Sequence, residues 1–213
     1  MSQEKNGEEF MDQYRCPTGP QGRTIARLMN RRHSTLTTWG LKYVEIKPDF
    51  TILDVGCGGG RTISRLARLA FRGKVFGVDP SADMVEYAEK ENSELVERDK
   101  VKIFEGSAEK LNFPDVLFDL VTAFETYYFW YSLLEAFREI RRVLKPAGTL
   151  LLVSEMVQDG VYEVENAETI TKAHVRLLPL KEIEDILRSV GFIDVQVFRK
   201  AGSPWNAVVA HKP

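Results

Sequence analysis

Leu53-Asp54-Val55-Gly56-Cys57-Gly58-Gly59-Gly60-Arg61, "LDVGCGGGR", is the stretch on which the fold turns. Before it, Thr51–Val55 is a short apolar run that stops at the glycines. After it, the segment to Phe71 sets Ile63, Leu66, Ala67 and Ala70 at helical spacing. A strand, a turn and a helix therefore meet at a length of bare backbone. A tight turn alone would account for some glycine. The further reading is that a ligand sits against the amides, where the start of the next helix adds a partial positive charge that favours an anionic group.

Working outward, strands and helices alternate. Lys74–Asp79 ("KVFGVD") reads as a second strand, followed by a helix from the N-cap Ser81 to about Leu95. Val101–Glu105 and Phe118–Phe124 are the next strands. Ser132–Leu144 is an amphipathic helix stopped by Pro146. Thr149–Ser154 ("TLLLVS") is nearly all apolar, as expected of a strand buried on both faces of a parallel sheet. A helix over Lys181–Val190 ends at Gly191. "IDVQVF" and "NAVVAH" are then joined by a link too short for a crossover helix, so the last two strands are expected to be antiparallel neighbours. The pattern predicts an α/β fold with helices on both faces of one sheet, in which ligands bind beyond the carboxyl ends of the strands.

The 213 residues, 44% of them hydrophobic, suffice for one core, and a single domain is expected. Lysine and arginine number 29 against 31 acids, so a net charge of −2 provides no overall field for nucleic acid or an anionic membrane surface. A small-molecule partner is favoured. Cys16 and Cys57 form neither a disulfide framework nor a zinc cluster, and no metal site is expected. The polar, acidic start lacks the pattern of a signal peptide, and no apolar run is long enough for a membrane span, which predicts a cytoplasmic protein.

The glycines fall at Gly56, Gly58 and Gly60, with Arg61 where a dinucleotide fingerprint would have its last glycine, and no Gly-Lys-Ser/Thr completes a phosphate loop. Asp79 ends the second strand, placed to accept hydrogen bonds from both hydroxyls of a ribose. That points to an adenosine-bearing ligand and leaves the chemistry open.

"LDVGCGGG", "VFGVDPSADMVEYA", "GSAEKLNF" and "VLKPAGTLLLVSE", in that order, resemble the successive motifs of class I S-adenosylmethionine-dependent methyltransferases, within them most the ubiquinone and menaquinone biosynthesis branch. The resemblance covers about residues 50–155. It implies a Rossmann-like, doubly wound, mostly parallel seven-stranded sheet with an antiparallel last strand, and S-adenosylmethionine as cofactor. By the same resemblance Gly56, Cys57, Gly58 and Gly60 face the methionine part of the cofactor, Asp54 helps hold its amino group and Asp79 binds the ribose. Pro80, Ser81 and Met84 cover the adenine, with Ser107, Ala108 and Glu109 bordering its other side and Phe124 nearby. Cys57 is expected to be a small loop residue without reactivity.

Transfer of a methyl group from a sulfonium needs chiefly alignment and exclusion of water, so the lack of a catalytic dyad is no objection. No base is assigned from sequence. By the resemblance Glu125, at the end of the fourth strand, falls where the acceptor meets the cofactor, with a solvated loop acid as the alternative. Tyr127, Tyr128 and Trp130 form an aromatic wall suited to a flat, apolar or amine acceptor, with core packing as the alternative. The chain lacks the Asp/Asn-Pro-Pro-aromatic tetrapeptide of enzymes acting on amides or nucleobases, the spaced cysteines of arsenic methylation, and the acid cluster of a catechol-type magnesium site. Before residue 48, amphipathic stretches at Gln21–Asn30 and through Leu36, Trp39, Tyr43 and Val44 predict two short helices, which the resemblance implies form a lid over the remaining Rossmann-like core, with Tyr14, His33 and Trp39 turned to the acceptor. A cofactor-binding sensor without transfer, or a nicotinamide-dependent reductase, are the competing readings. Oligomeric state is left open.

Overall fold

The computed structural model describes residues 15–172 and 175–213. Seven strands form one sheet: β1 (Thr51–Val55), β2 (Lys74–Asp79), β3 (Val101–Glu105), β4 (Phe118–Phe124), β5 (Leu144–Ser154), β6 (Ile193–Arg199) and β7 (Asn206–His211). Their order is β3-β2-β1-β4-β5-β7-β6; β1 to β5 pair in parallel, and β7 runs antiparallel between β5 and β6. The strand order reverses at β1, which carries the glycine loop at its carboxyl end. This is the Rossmann-like sheet expected, with its antiparallel terminal pair.

The apolar strands are explained by two cores. Leu150 and Leu152 of β5 and Val121 of β4 pack on one face with Phe137 and Ile140; Leu151 and Val153 of β5 and Leu120 of β4 pack on the other with Ile63, Leu66 and Leu36. Alternate side chains point to opposite faces, so a strand covered on both sides must be apolar throughout. The helices that cover it are α1 (Gly19–Arg32), α2 (Ser34–Gly40), α3 (Arg61–Leu69), α4 (Ala82–Glu91), α5 (Ser93–Glu97), α6 (Leu133–Val143), α7 (Tyr162–Glu165), α8 (Ala167–Lys172) and α9 (Leu180–Ser189). Among the described residues no helix is long and apolar enough to cross a membrane.

Two departures from the expected elements have local causes. The helix after Ser81 breaks at Asn92, whose side-chain amide turns back to donate to the carbonyls of Gly60 (3.1 Å) and Ala88 (2.8 Å) and so ties α4 to the glycine loop. β5 begins at Leu144, five residues earlier than its apolar run, because the β4–β5 register shifts between Phe118 and Leu120 and leaves room for Pro146 and for Ala147 at φ +59°. The short helices α7 and α8 carry no periodicity strong enough to be read from sequence.

Candidate functional site

A cavity of about 250 Å³ opens beyond the carboxyl ends of β1, β2 and β4, beneath α1 and α2. Its floor is the glycine loop. Gly56, Gly58 and Gly60 all have positive φ (+75°, +49° and +75°), a conformation costly for residues with a Cβ. At Gly56 a Cβ would also lie 2.4 Å from Cγ2 of Thr126, so both conformation and close approach require glycine. The loop spends most of its amides on itself: those of Gly56 and Cys57 donate to the carbonyl of Val78 (2.7 and 3.1 Å), that of Gly60 to Cys57 (3.0 Å), and that of Gly58 to Asp79 Oδ2 (2.8 Å). The expectation of several amides free for a ligand is corrected. What remains is the amide of Gly59 and the first turn of α3, where the helix dipole favours an anion and the Arg61 and Thr62 side chains line the cavity.

Two buried acids stand on this floor. Asp54 accepts a 2.7 Å bond from the hydroxyl of Thr122, its partner on β4; burial pushes its carboxyl up to about 7, against the pull of Thr122, with Asp79 adding to the rise. Asp79 accepts from the amides of Gly58 and Ser81 (3.0 Å), which only partly offset the upward push of burial on its pKa. Burial likewise pushes the Cys57 thiol up, away from the thiolate form in which a cysteine reacts. Pro80, Met84, Ser107, Ala108 and Glu109 line the same end, and Glu109 also accepts from the amides of Tyr131 (2.7 Å) and Ser132 (3.3 Å).

The cavity is also lined by Phe124, Glu125, Phe129, Trp130 and His33. Glu125 has φ +60°, is 4% exposed, and accepts a 2.8 Å bond from the Tyr128 hydroxyl and another from the amide of Glu155. His33 lies at the junction of α1 and α2, its Nε2 3.6 Å from Glu155, while Arg32 reaches Glu155 at 2.9 Å.

The roof is fastened at several points. Ser81 donates to the Pro17 carbonyl, the amide of Gly19 to Asp83 (2.8 Å), and Arg27 to the Tyr87 hydroxyl (3.1 Å). Arg65 of α3 holds α2 through the Ser34 carbonyl (3.1 Å) and the Thr38 hydroxyl (2.9 Å), and Arg15 stacks over Tyr131 at 4.4 Å.

Among the described residues, five expected at the site do not line the cavity: Trp39, Tyr127, Tyr128, Gly60 and Ser81. Trp39 packs against Tyr43 (5.1 Å, edge-on) and Trp205 in the core under α2, because the apolar stripe of that helix faces the sheet. Tyr127 and Tyr128 are 2% and 5% exposed; the 3₁₀ turn over Tyr127–Phe129 points them into the core and leaves the next two aromatics, Phe129 and Trp130, at the cavity. Gly60 lies under the loop, where a Cβ would strike Asn92 and Ala88. Tyr14 falls outside the described residues. Ser81 caps α4 and ties down the roof without lining the cavity. Sequence reasoning missed Arg61 and Arg65, although their four-residue spacing directly after the glycines puts both on one helix face, and it missed Cys16 and Pro17, which carry no signal.

Residues 53–152 match the family model described as "Methyltransferase domain". The "Probable methyltransferase ltbC" of Aspergillus luteorubrus is 30% identical over 199 residues, covering 86% of this chain and 67% of that protein. The demethylmenaquinone methyltransferase of Symbiobacterium thermophilum is 36% identical over 117 residues, covering 53% of this chain and 47% of its own. Several other curated relatives are likewise matched over only about half their length, 44% to 55%. Among solved structures, Haemonchus contortus phosphoethanolamine N-methyltransferase 2 in complex with S-adenosyl-L-methionine superposes with a TM-score of 0.73 at 22% identity, over 84% of this chain and 53% of that one. With the sheet order, the glycine loop and the match to ltbC over 86% of this chain in agreement, the chain belongs to the class I, S-adenosylmethionine-dependent methyltransferases.

Proposed function

We propose that this chain transfers the methyl group of S-adenosylmethionine to a small-molecule acceptor that enters beside Trp130. The observation that carries the reading is one cavity lined by Asp79, the glycine loop, Asp54, Glu125 and Trp130 together. The residues fit the cofactor. Two buried carboxylates line a cavity with no described cation beside them, so an ammonium has a partner in Asp54 and ribose hydroxyls have acceptors in Asp79. The carboxylate end has the Gly59 amide, the first turn of α3 and Arg61. Pro80, Met84 and the Ser107–Glu109 segment would enclose the adenine. When bound, the sulfonium supplies a methyl carbon open to in-line attack.

The protein's part is to align the acceptor and keep water out. Holding two reactants in register can supply roughly 7–11 kcal/mol of the barrier without covalent help. Residues 15–40 act as the lid, and its fastenings to Ser81, Asp83, Tyr87 and Arg65 serve that closure. Phe129 and Trp130 offer flat faces to the acceptor, which suits the quinone-ring acceptors of the branch that the motifs resemble. The open cavity beside Glu125 and Trp130 speaks against a cofactor sensor with its acceptor side filled. Two unpaired cysteines and balanced charge fit a cytoplasmic enzyme.

Calorimetric titration with S-adenosylmethionine, its demethylated product and NADH, followed by transfer of a labelled methyl group to a panel of phenols, quinols and amines, tests this. Binding of the first two and label in at least one acceptor is expected. Binding of NADH alone, or of S-adenosylmethionine with no labelled acceptor, would refute it.

A further inference from the structure

We propose that Glu125 is the general base of this transfer: its carboxylate takes the proton of an acceptor that arrives as a phenol, alcohol or protonated amine, and His33 passes that proton outward. The inference rests on the methyl transfer proposed above and narrows its acceptor to groups that must lose a proton.

Position is the first support. Glu125 directly follows β4 and lines the same cavity as the glycine loop, Phe129 and Trp130. Its backbone is left-handed at φ +60°, unusual for a residue with a side chain, and the bond from its amide to the Val153 carbonyl (2.9 Å) holds it there. Such strain is kept where the surroundings impose it, and sites of chemistry are where it collects. One oxygen accepts from Tyr128 and the other from the Glu155 amide, which fixes the carboxylate and still leaves each oxygen a lone pair.

The neighbouring groups suit a proton acceptor. Burial pushes the Glu125 carboxyl up to about 7; His33 opposes that push and Glu155 adds to it. Tyr127 and Tyr128 also face it, and burial pushes both phenols up, so neither competes as a base. Burial pushes Glu155 up as well, but His33 and Arg32 outweigh it and hold that carboxyl below its usual range. Glu155 therefore stays charged and positions His33. One donor atom of each of His33, Glu125 and Glu155 lies within 4.8 Å of the other two, and the His33 side chain is 17% exposed, giving the proton a way out.

The balance is simple. The acceptor's proton goes to Glu125, its freed electron pair forms the bond to the methyl carbon, and the pair of the broken carbon–sulfur bond stays on sulfur. Glu125 ends protonated and returns its proton to solvent through His33. The chemistry operates when Glu125 is ionised, so the rate should rise with pH through about 7.

Glu125→Gln preserves shape and the contact with Tyr128, and Glu125→Asp serves as the conservative rescue. Infrared difference titration of the complex with S-adenosylhomocysteine should show a buried carboxylic acid band that disappears near neutral pH and is missing in Glu125→Gln. Phenol and 4-nitrophenol, which share the phenolic ring and differ in how readily they ionise, then separate proton removal from positioning. Glu125→Gln should slow transfer to phenol by about 10²–10⁴-fold and flatten its pH profile, spare the ionised nitrophenol, and leave affinity for S-adenosylhomocysteine unchanged. Equal losses on both acceptors, a Glu125 that stays ionised from about pH 5 upward, or a stoichiometric divalent ion held by His33, Glu125 and Glu155 would overturn the assignment. Intact binding of S-adenosylhomocysteine with transfer to no acceptor would instead bring down the proposed transfer, and the base with it.

Discussion

Asp79→Ala removes one carboxylate and two kinds of bond at once. In the structure its oxygens hold the amides of Gly58 and Ser81, at 2.8 and 3.0 Å, so the side chain fixes the glycine loop to the end of β2 before any ligand arrives. A hydrogen bond to a charged group contributes about 1.5–3 kcal/mol net. Part of that is returned, because the variant no longer buries a carboxyl whose pKa burial raises. The folded state should therefore lose only about 1–2 kcal/mol, most of it at the Ser81 amide, since Ser81 is 2% exposed and cannot turn to water as Gly58 can. Cofactor affinity should fall further, by about 1.5–3 kcal/mol or roughly ten- to a hundredfold, as two ribose hydroxyls lose a charged acceptor. Asp79→Asn keeps one acceptor oxygen and should fall between. Melting curves of the apo proteins and calorimetric titration with S-adenosylhomocysteine separate the two effects. A folded Asp79→Ala protein with wild-type affinity would refute the placement of the ribose.

Further perturbations follow from the same geometry. Asp54 stays protonated in the folded chain up to about pH 7, where an unfolded aspartate has already ionised near 3.8, so apo stability should fall as pH rises between those values; at pH 8 Asp54→Asn should recover up to about 4 kcal/mol, read from urea melts at several pH values, and an identical slope in both proteins would contradict this. Gly56→Ala should destabilise by about 2–4 kcal/mol through its left-handed backbone and its contact with Thr126; Thr126→Ser in the same chain should restore part of it, and strict additivity would remove the clash from the explanation. Trp130→Ala should lower turnover with cofactor affinity unchanged, whereas Tyr128→Ala, which empties a core position, should lower the melting temperature by several degrees; equal melting temperatures would be evidence against the burial of Tyr128.

Strands were the most legible part of the fold. β1 to β4 and β7 occupy the expected residues: β1, β2, β4 and β7 are largely buried on both faces, while β3, at the sheet edge, alternates buried Val101 and Ile103 with exposed Lys102 and Phe104. Helix ends were less so: α4 stops at Asn92 for the sake of a tertiary bond to Gly60 that local propensity cannot show. Within the site, Asp54, Asp79 and Glu125 were readable because each ends or adjoins a strand at the edge where a parallel sheet binds ligands. The aromatic run was misread residue by residue. Tyr127 and Tyr128 enter the core from a 3₁₀ turn, whereas Trp130 follows that turn in extended backbone and lines the cavity, and nothing in "TYYFW" fixes where the turn ends. Trp39 was misplaced for a similar reason: an apolar stripe tells which face is buried but not whether a sheet or a ligand covers it.

A structure of the chain with S-adenosylhomocysteine bound tests the central claim most directly. One molecule should lie in the cavity under α1 and α2, its ribose hydroxyls on Asp79, its amino group at Asp54 and its sulfur turned toward Glu125 and Trp130. A molecule lying elsewhere, or reversed so that the adenine meets Trp130 and the sulfur meets Asp79, would contradict the account.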